Sequence, residues 1–247
     1  MIIAEFILGC NLEQIRRDVV IAPCWYPNTV GISNYKLISD KACKIWECSI
    51  DGRTFNYIVS GVGAAACMDI VFALGETKCS RLLFLGSAGA LRQGQKVGDF
   101  ALPRAIISAE GASRYIGNDL SNDSFGKAFY ASEEIRNKLY KCSNEIGRLY
   151  GIEIHNGRGV SVESIFLQYN HIDELLQMDC DFIDMESSAF LAASNALGIT
   201  SAVVFCISDN VAQSEPLYTV AAEKTAFRKR IRKKIVPRLL KEFTNEG

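Results

Sequence analysis

A chain of 247 residues is long enough to bury one large core, and with 49% hydrophobic and 22% charged residues it has the make-up of an ordinary globular protein, read here as one domain over residues 1–247. A formal charge of -1 gives no basic excess for nucleic acid, and no apolar run approaches the ~18–20 residues of a membrane span, which excludes both classes of partner. The nine cysteines are odd in number and scattered, without a C-x-x-C pair and with only two histidines beside them, so they read as reduced thiols of a cytoplasmic protein with no metal site.

The opening "MIIAEFILGC" ends like a lipoprotein cleavage site, but it carries Glu5, has no basic residue before Arg16 and is too short for a signal peptide, so the match reads as accidental. "DVVIA" (18–22), "KIWECSI" (44–50) and "TFNYIVS" (54–60) read as strands, the last two joined at Asp51-Gly52. "AAACMDIVFALGETK" (64–78) reads as a helix. "GVGAAA" (61–66) opens it after a strand and matches the dinucleotide pattern G-x-G-x-x-G/A, but the acid expected at the end of the next strand is absent. What remains is a set of backbone N–H groups able to hold an anion or a sugar hydroxyl.

"RLLFLG" (81–86) is the next strand, and "GSAGAL" (86–91) reads as a small-residue loop where Ser87, Ala88 and Gly89 let a ligand approach the backbone. "DFALP" (99–103), "IISAE" (106–110), "IEIHNGRGV" (152–160) and "TSAVVFCIS" (200–208) supply further strands. Residues 133–149 place Ile135, Leu139, Cys142, Ile146 and Leu149 at helical spacing behind Ser132, a candidate N-cap. In "DFIDMESSAF" (181–190) a short apolar run meets a helix start, with Asp184 and Glu186 flanking Met185. A last helix over roughly 219–243 stacks Phe227, Ile231, Ile235, Leu239 and Phe243, contains Pro237, and carries nine Lys/Arg and no acid between Lys224 and Lys241, which reads as a solvated basic face. Strands alternating with helices predict an α/β fold with a mixed central sheet and helices on both faces.

Taken in order, "DVVIAP", "SGVGAAA", "LGSAGAL" with "VGDFALP", "SVESIF", "DMESSAF" and "CISDN" resemble the nucleoside phosphorylase family over about residues 18–235. That family includes purine nucleoside phosphorylases, uridine phosphorylases and methylthioadenosine/S-adenosylhomocysteine nucleosidases. The resemblance implies a mixed, partly barrel-like central sheet flanked by helices. It further implies a homo-oligomer between dimer and hexamer, a small-molecule nucleoside as partner, and no cofactor beyond phosphate as a possible co-substrate.

The same resemblance implies roles. Met185 packs under the ribose, Glu186 accepts its 2′- and 3′-hydroxyls, and Asp184 stands where the family often has another acid. Asp209, just past a strand end, resembles the aspartate that protonates N7 of a departing purine, with Ser208 beside it; an Asx turn is the structural alternative. Lys224 falls where purine phosphorylases carry an arginine assisting that aspartate. Phe166, or else Ile165, stacks on the base, and Gln168 is the nearest amide.

The departures concern phosphate. Asn28 and Phe84 stand where the family has arginines, Lys41 corresponds loosely to an arginine lent by a neighbouring subunit, and Ser87 remains. In the hydrolytic branch an N-terminal glutamate activates water, and Glu13 or Gln14 lies near that place. The expectation is a phosphorolytic enzyme acting on a purine nucleoside, with hydrolysis or nucleoside binding without catalysis as alternatives.

Overall fold

The computed structural model describes residues 3–117, 119–121 and 123–245. The chain opens with helix α1 (Ile3–Leu8), strand β1 (Asp18–Ala22), the meander β2 (Asn34–Asp40), β3 (Lys44–Ile50) and β4 (Arg53–Val59), helix α2 (Ala64–Leu74) and the long strand β5 (Arg81–Ala90). Strands β6 (Phe100–Ala101), β7 (Ala105–Ala109) and β8 (Ala128–Tyr130) lead to α3 (Glu133–Tyr150), β9 (Ile154–His155) and β10 (Arg158–Val162). Helix α4 (Ile172–Gln177), β11 (Phe182–Asp184), α5 (Ser187–Leu197), β12 (Thr200–Asn210) and α6 (Ala222–Phe243) follow.

The strands form one mixed sheet in the order β2-β3-β4-β1-β5-β11-β10-β7-β8, and β12 branches from β5 to reach β6 and then β9. Burial explains the centre of this order. β1, β5 and β12 alternate side chains between two cores: Val19, Ile21, Leu82, Phe84, Val203 and Phe205 face one, and Val20, Leu83, Leu85, Ala202 and Val204 face the other. Helices α1, α2 and α5 cover the first core, while α3 and α6 cover the second. Strands buried on both faces are uniformly apolar because neither face meets water. Phe84 sits 5.5 Å from Phe190 and 6.1 Å from Phe205, ring to ring, and each fully buried phenylalanine contributes about 1.5–3 kcal/mol.

Several expectations change. The segment 86–90 is no loop: β5 runs through it because β12 pairs with it along nearly its whole length, up to Asn210 opposite Ala90. Helix α2 ends at Leu74, capped at Gly75, short of residue 78. "IEIHNGRGV" divides at Asn156-Gly157 because its halves serve different partners, β9 pairing with β6, and β10 with β7 and β11. Leu149 points to solvent at 71% exposure. Ser132 precedes α3, but its hydroxyl accepts the Ser201 N–H of β12 at 2.9 Å and makes no cap. Pro237 lies inside α6, where it cannot donate to the Lys233 carbonyl. Among the described residues no helix is long and apolar enough to cross a membrane.

Candidate active site

The C-terminal ends of β1, β5 and β12 and the β11–α5 junction open onto one cleft of about 300 Å³. In open parallel sheets such strand ends carry binding groups, since the loops leaving them diverge. Ser87, Ala88, Gly89, Asp184, Met185, Glu186, Ser208 and Asp209 all line this cleft.

A β-bulge places the β12 groups. The register with β5 runs from Thr200 opposite Arg81 to Ile207 opposite Ala88, then skips so that Asp209 faces Gly89. Ser208 is the extra residue, and the bulge turns both side chains toward the cleft. A Cβ on Gly89 would lie 3.0 Å from Asp209 Oδ2, so the absence of a side chain there makes room for the carboxylate. Ser208 Oγ lies 2.5 Å from Asp209 Oδ1 and 3.1 Å from the Ala88 carbonyl. Its single proton can go to either. With Asp209 ionised the hydroxyl donates to the carboxylate; with Asp209 protonated the acid donates to Ser208, which turns to Ala88. Asp209 is 5% exposed, and burial raises its carboxyl above the usual range, opposed by the Ser208 hydrogen bond and the Arg228 charge.

At the β11–α5 junction Asp184 caps the helix. Its Oδ2 accepts the N–H groups of Ser187 at 2.8 Å and Glu186 at 3.2 Å, and its Oδ1 accepts Ser161 Oγ at 2.5 Å. Ser161 Oγ also accepts the Ser188 N–H at 2.8 Å, and the Ser188 hydroxyl donates to buried Glu110 at 2.9 Å. Met185 and Glu186 are held by this network as a short, non-helical step between strand and helix. Glu186 Oε1 accepts the Gly63 N–H at 2.7 Å. Gly63 adopts φ 122°, which a side chain disfavours and which turns its N–H to the carboxylate. The glycine-rich turn thus holds a carboxyl group, and that group is the protein's own.

Burial first, and then the Asp184 charge, push the Glu186 carboxyl up to about 8. Burial also raises Asp184, against hydrogen bonds from Ser161, Ser187 and Glu186 that favour its charged form.

Two of the expected residues lie elsewhere. Phe166 is 85% exposed and does not line the cleft, whereas Ile165 and Gln168 do. Lys224 is turned away to Glu215, with Nζ at 2.7 and 2.8 Å from its two carboxylate oxygens; Arg228, one helical turn further on, lines the cleft instead. Glu13 lies in the exposed turn Leu12–Gln14, where its carbonyl accepts Lys78 Nζ near the opposite end of β1. Phe84 is in the core and Asn28 is exposed in the turn Pro27–Val30; neither reaches the cleft.

Sequence reasoning missed Cys24, Trp25, Val62, Leu217 and Arg228, which with Pro23 and Ile183 complete the lining. Arg228 had a signal: Arg232, Val236 and Leu240, spaced four apart on α6, are all buried, and Arg228 continues that row.

Comparison with known proteins bears on the family and the fold. A family model described as the phosphorylase superfamily matches residues 31–243. A 5′-methylthioadenosine/S-adenosylhomocysteine nucleosidase of Haemophilus influenzae is 29% identical over 178 residues, covering 67% of this chain and 72% of the relative. One from Haemophilus ducreyi is 24% identical over 208 residues, covering 79% and 86%. Among solved structures, a uridine phosphorylase from Vibrio fischeri superposes with a TM-score of 0.76 at 16% identity, covering 94% and 95% of the two chains. A purine nucleoside phosphorylase from Toxoplasma gondii in complex with immucillin-H gives 0.73 at 18%, covering 91% and 90%.

Proposed function

The chain belongs to the phosphorylase superfamily, and from that premise we propose that it cleaves the N-glycosidic bond of a purine nucleoside. The observation that carries the reading is the meeting of Glu186, Met185 and Asp209 in one cleft, with both carboxyl groups held out of water.

In this reading Met185 gives the ribose an apolar floor, and Glu186 accepts its 2′- and 3′-hydroxyls. Hydroxyls donating to Glu186 favour its charged form, as does positive charge developing on the ring when the bond to the base lengthens. The carboxylate is therefore matched best to the transition state. The bonding pair leaves with the base, and Asp209, whose carboxyl burial raises above its usual range, delivers a proton to the base nitrogen. Ser208 follows that proton by turning from Ala88 to the carboxylate. Ile165 and Leu217 supply apolar surface against the base.

Phosphate is the attacking group in this proposal. Hydrolysis is the second reading, supported by the nucleosidase relatives and by the absence of Asn28 and Phe84 from the cleft. Incubation with inosine, adenosine, methylthioadenosine and uridine, each with and without phosphate, separates them. Purine turnover that requires phosphate is expected. Turnover independent of phosphate moves the reading to hydrolysis, preference for uridine rejects the Asp209 role, and binding without turnover leaves only a nucleoside-binding protein.

The proposal includes no cofactor, a cytoplasmic setting and a homo-oligomer between dimer and hexamer. Val62 and Ile165 are exposed apolar residues of the cleft lining, and the exposed Phe166 and Leu167 continue from Ile165 along the chain; a second copy would cover this surface. Sedimentation as a monomer at assay concentration would remove that part.

A further inference from the structure

The cations of α6 divide into those with protein partners, the solvent-exposed Lys229, Lys233 and Lys234, and Arg228. Lys224 pairs with Glu215 and Lys241 with Asp51, while Arg230 and Arg238 lie over the rings of Phe227 and Tyr150. Arg232 donates to the Thr29 carbonyl at 3.2 and 3.3 Å and stacks 4.2 Å from the Trp25 ring centre. Arg228 differs: it lines the cleft, its Nε is buried without a hydrogen-bond partner, and among the described residues no carboxylate pairs with it.

The acids of the cleft are already engaged. Asp184 is held by Ser161 and the start of α5, Glu186 by Gly63 and Asp209 by Ser208. A guanidinium nitrogen withdrawn from water and left without an acceptor is costly, and a carboxylate or phosphate matches the planar fork of the half-buried Arg228 best. A second donor is open in the same cleft: the Ser87 hydroxyl has no protein partner among the described residues. Around both, Cys24 and Trp25 of the turn after β1 close the wall.

We infer that Arg228, helped by Ser87, is the anchor for a phosphate group in this cleft, supplied from α6 in a chain whose turn after β1 brings no cation to it. The assignment rests on the glycosidic reading above only for what the phosphate does there, and two sources share its chemistry. As free hydrogen phosphate, an oxygen lone pair forms the bond to C1′ while the bond from C1′ to the base nitrogen breaks. That bonding pair goes to the base, Asp209 protonates the base, and the proton of the hydrogen phosphate, returned through solvent, restores Asp209. The products are free base and ribose 1-phosphate. As a phosphate monoester the group belongs to the substrate, which is then a nucleoside 5′-monophosphate.

The test uses the full chain. Inorganic phosphate and inosine 5′-monophosphate are titrated by calorimetry into wild type, Arg228→Ala, Arg228→Lys and Ser87→Ala, and inosine cleavage is followed with and without phosphate. Loss of Arg228 is expected to weaken phosphate binding by about 10- to 100-fold, with Arg228→Lys in between and Ser87→Ala weakened less. Should Arg228→Ala not fold, the charge-preserving Arg228→Lys and Ser87→Ala carry the same comparison. Phosphate-stimulated inosine cleavage supports the free anion; cleavage of inosine 5′-monophosphate without added phosphate supports the monoester. Equal affinity in wild type and Arg228→Ala, or no binding to wild type, overturns the anchor. Inosine cleavage in phosphate-free buffer at a rate Arg228→Ala leaves unchanged removes the anchor and keeps the glycosidic reading. Binding that depends on Arg228 with no cleavage of any nucleoside does the reverse.

Discussion

The two sides of the cleft differ in how their polar groups are matched. Where β11 meets α5, both oxygens of Asp184 are filled, Ser161 links it to Ser188, and Ser188 passes the chain on to Glu110. Glu110 in turn gathers Ser108, Ser113 and the Ala112 N–H. Where α6 faces the turn after β1, Arg228 and Ser87 have donors and no acceptors. A saturated network fixes the position of a side chain before any ligand arrives; an unsaturated pair leaves its acceptors to the ligand. The first side is built to hold a geometry, and the second to receive a charge.

Asp209 borders both sides, and its replacement has the largest expected effect. Asp209→Asn lowers kcat for a purine nucleoside by about 10²–10⁴-fold, whereas a riboside with a nitrophenolate leaving group, which needs no proton, loses far less. Initial rates on the two substrates measure the contrast, and equal losses break the assignment of Asp209 as acid. Glu186→Ala follows, with kcat/KM down about 10²–10³-fold, comparable to loss of one preorganised polar contact to the transition state. The wild type should also prefer ribonucleosides over 2′-deoxynucleosides, and the variant should not; an unchanged preference would separate Glu186 from the sugar.

Ser161→Ala tests the saturated side as structure. It removes the donor to Asp184 Oδ1 and the acceptor of the Ser188 N–H together, and leaves both buried. The expected cost is about 1–3 kcal/mol in urea unfolding, with a smaller loss of activity than Glu186→Ala; an unchanged midpoint shows that water replaces the hydroxyl. The smallest effect is a pH dependence. Glu186 ordinarily titrates near 4.5 and is pushed up to about 8 in the folded chain, so between those values the folded state holds a proton that the unfolded state lacks. Stability from this group therefore falls as pH rises through the window. Glu186→Gln keeps an oxygen for the Gly63 N–H and removes the titration. Its melting temperature should gain on wild type by a few degrees between about pH 5 and 9, and a constant difference would place the Glu186 carboxyl in its ordinary range.

The motifs at strand ends were readable because a strand presents its terminal residues predictably. Met185 and Glu186 follow the short run Phe182–Asp184, and Ser208 and Asp209 end the run that begins at Thr200. Two neighbouring choices were not readable. Phe166 and Ile165 precede a 3-10 turn, where no long periodicity decides which of two adjacent apolar residues faces inward. Lys224 and Arg228 are one turn apart on α6, and what separates them is a contact with Glu215, which its bridge to Asn210 holds beside the end of β12. The register of an irregular segment before a helix is set by packing, so spacing to the β12 motif could not select the cation.

By itself the sequence determined the alternation of strands and helices, the two-sided burial of β1, β5 and β12, and the strand-end groups, because apolar periodicity and small residues are local properties of the chain. Only the tertiary structure decided that β5 continues through Gly86–Ala90, that Gly63 spends its N–H on Glu186, and that Arg228 rather than Lys224 faces the cleft. Each of these depends on a partner far away in sequence, whose hydrogen bond, charge or pairing edge is met only when the sheet and its helices close together.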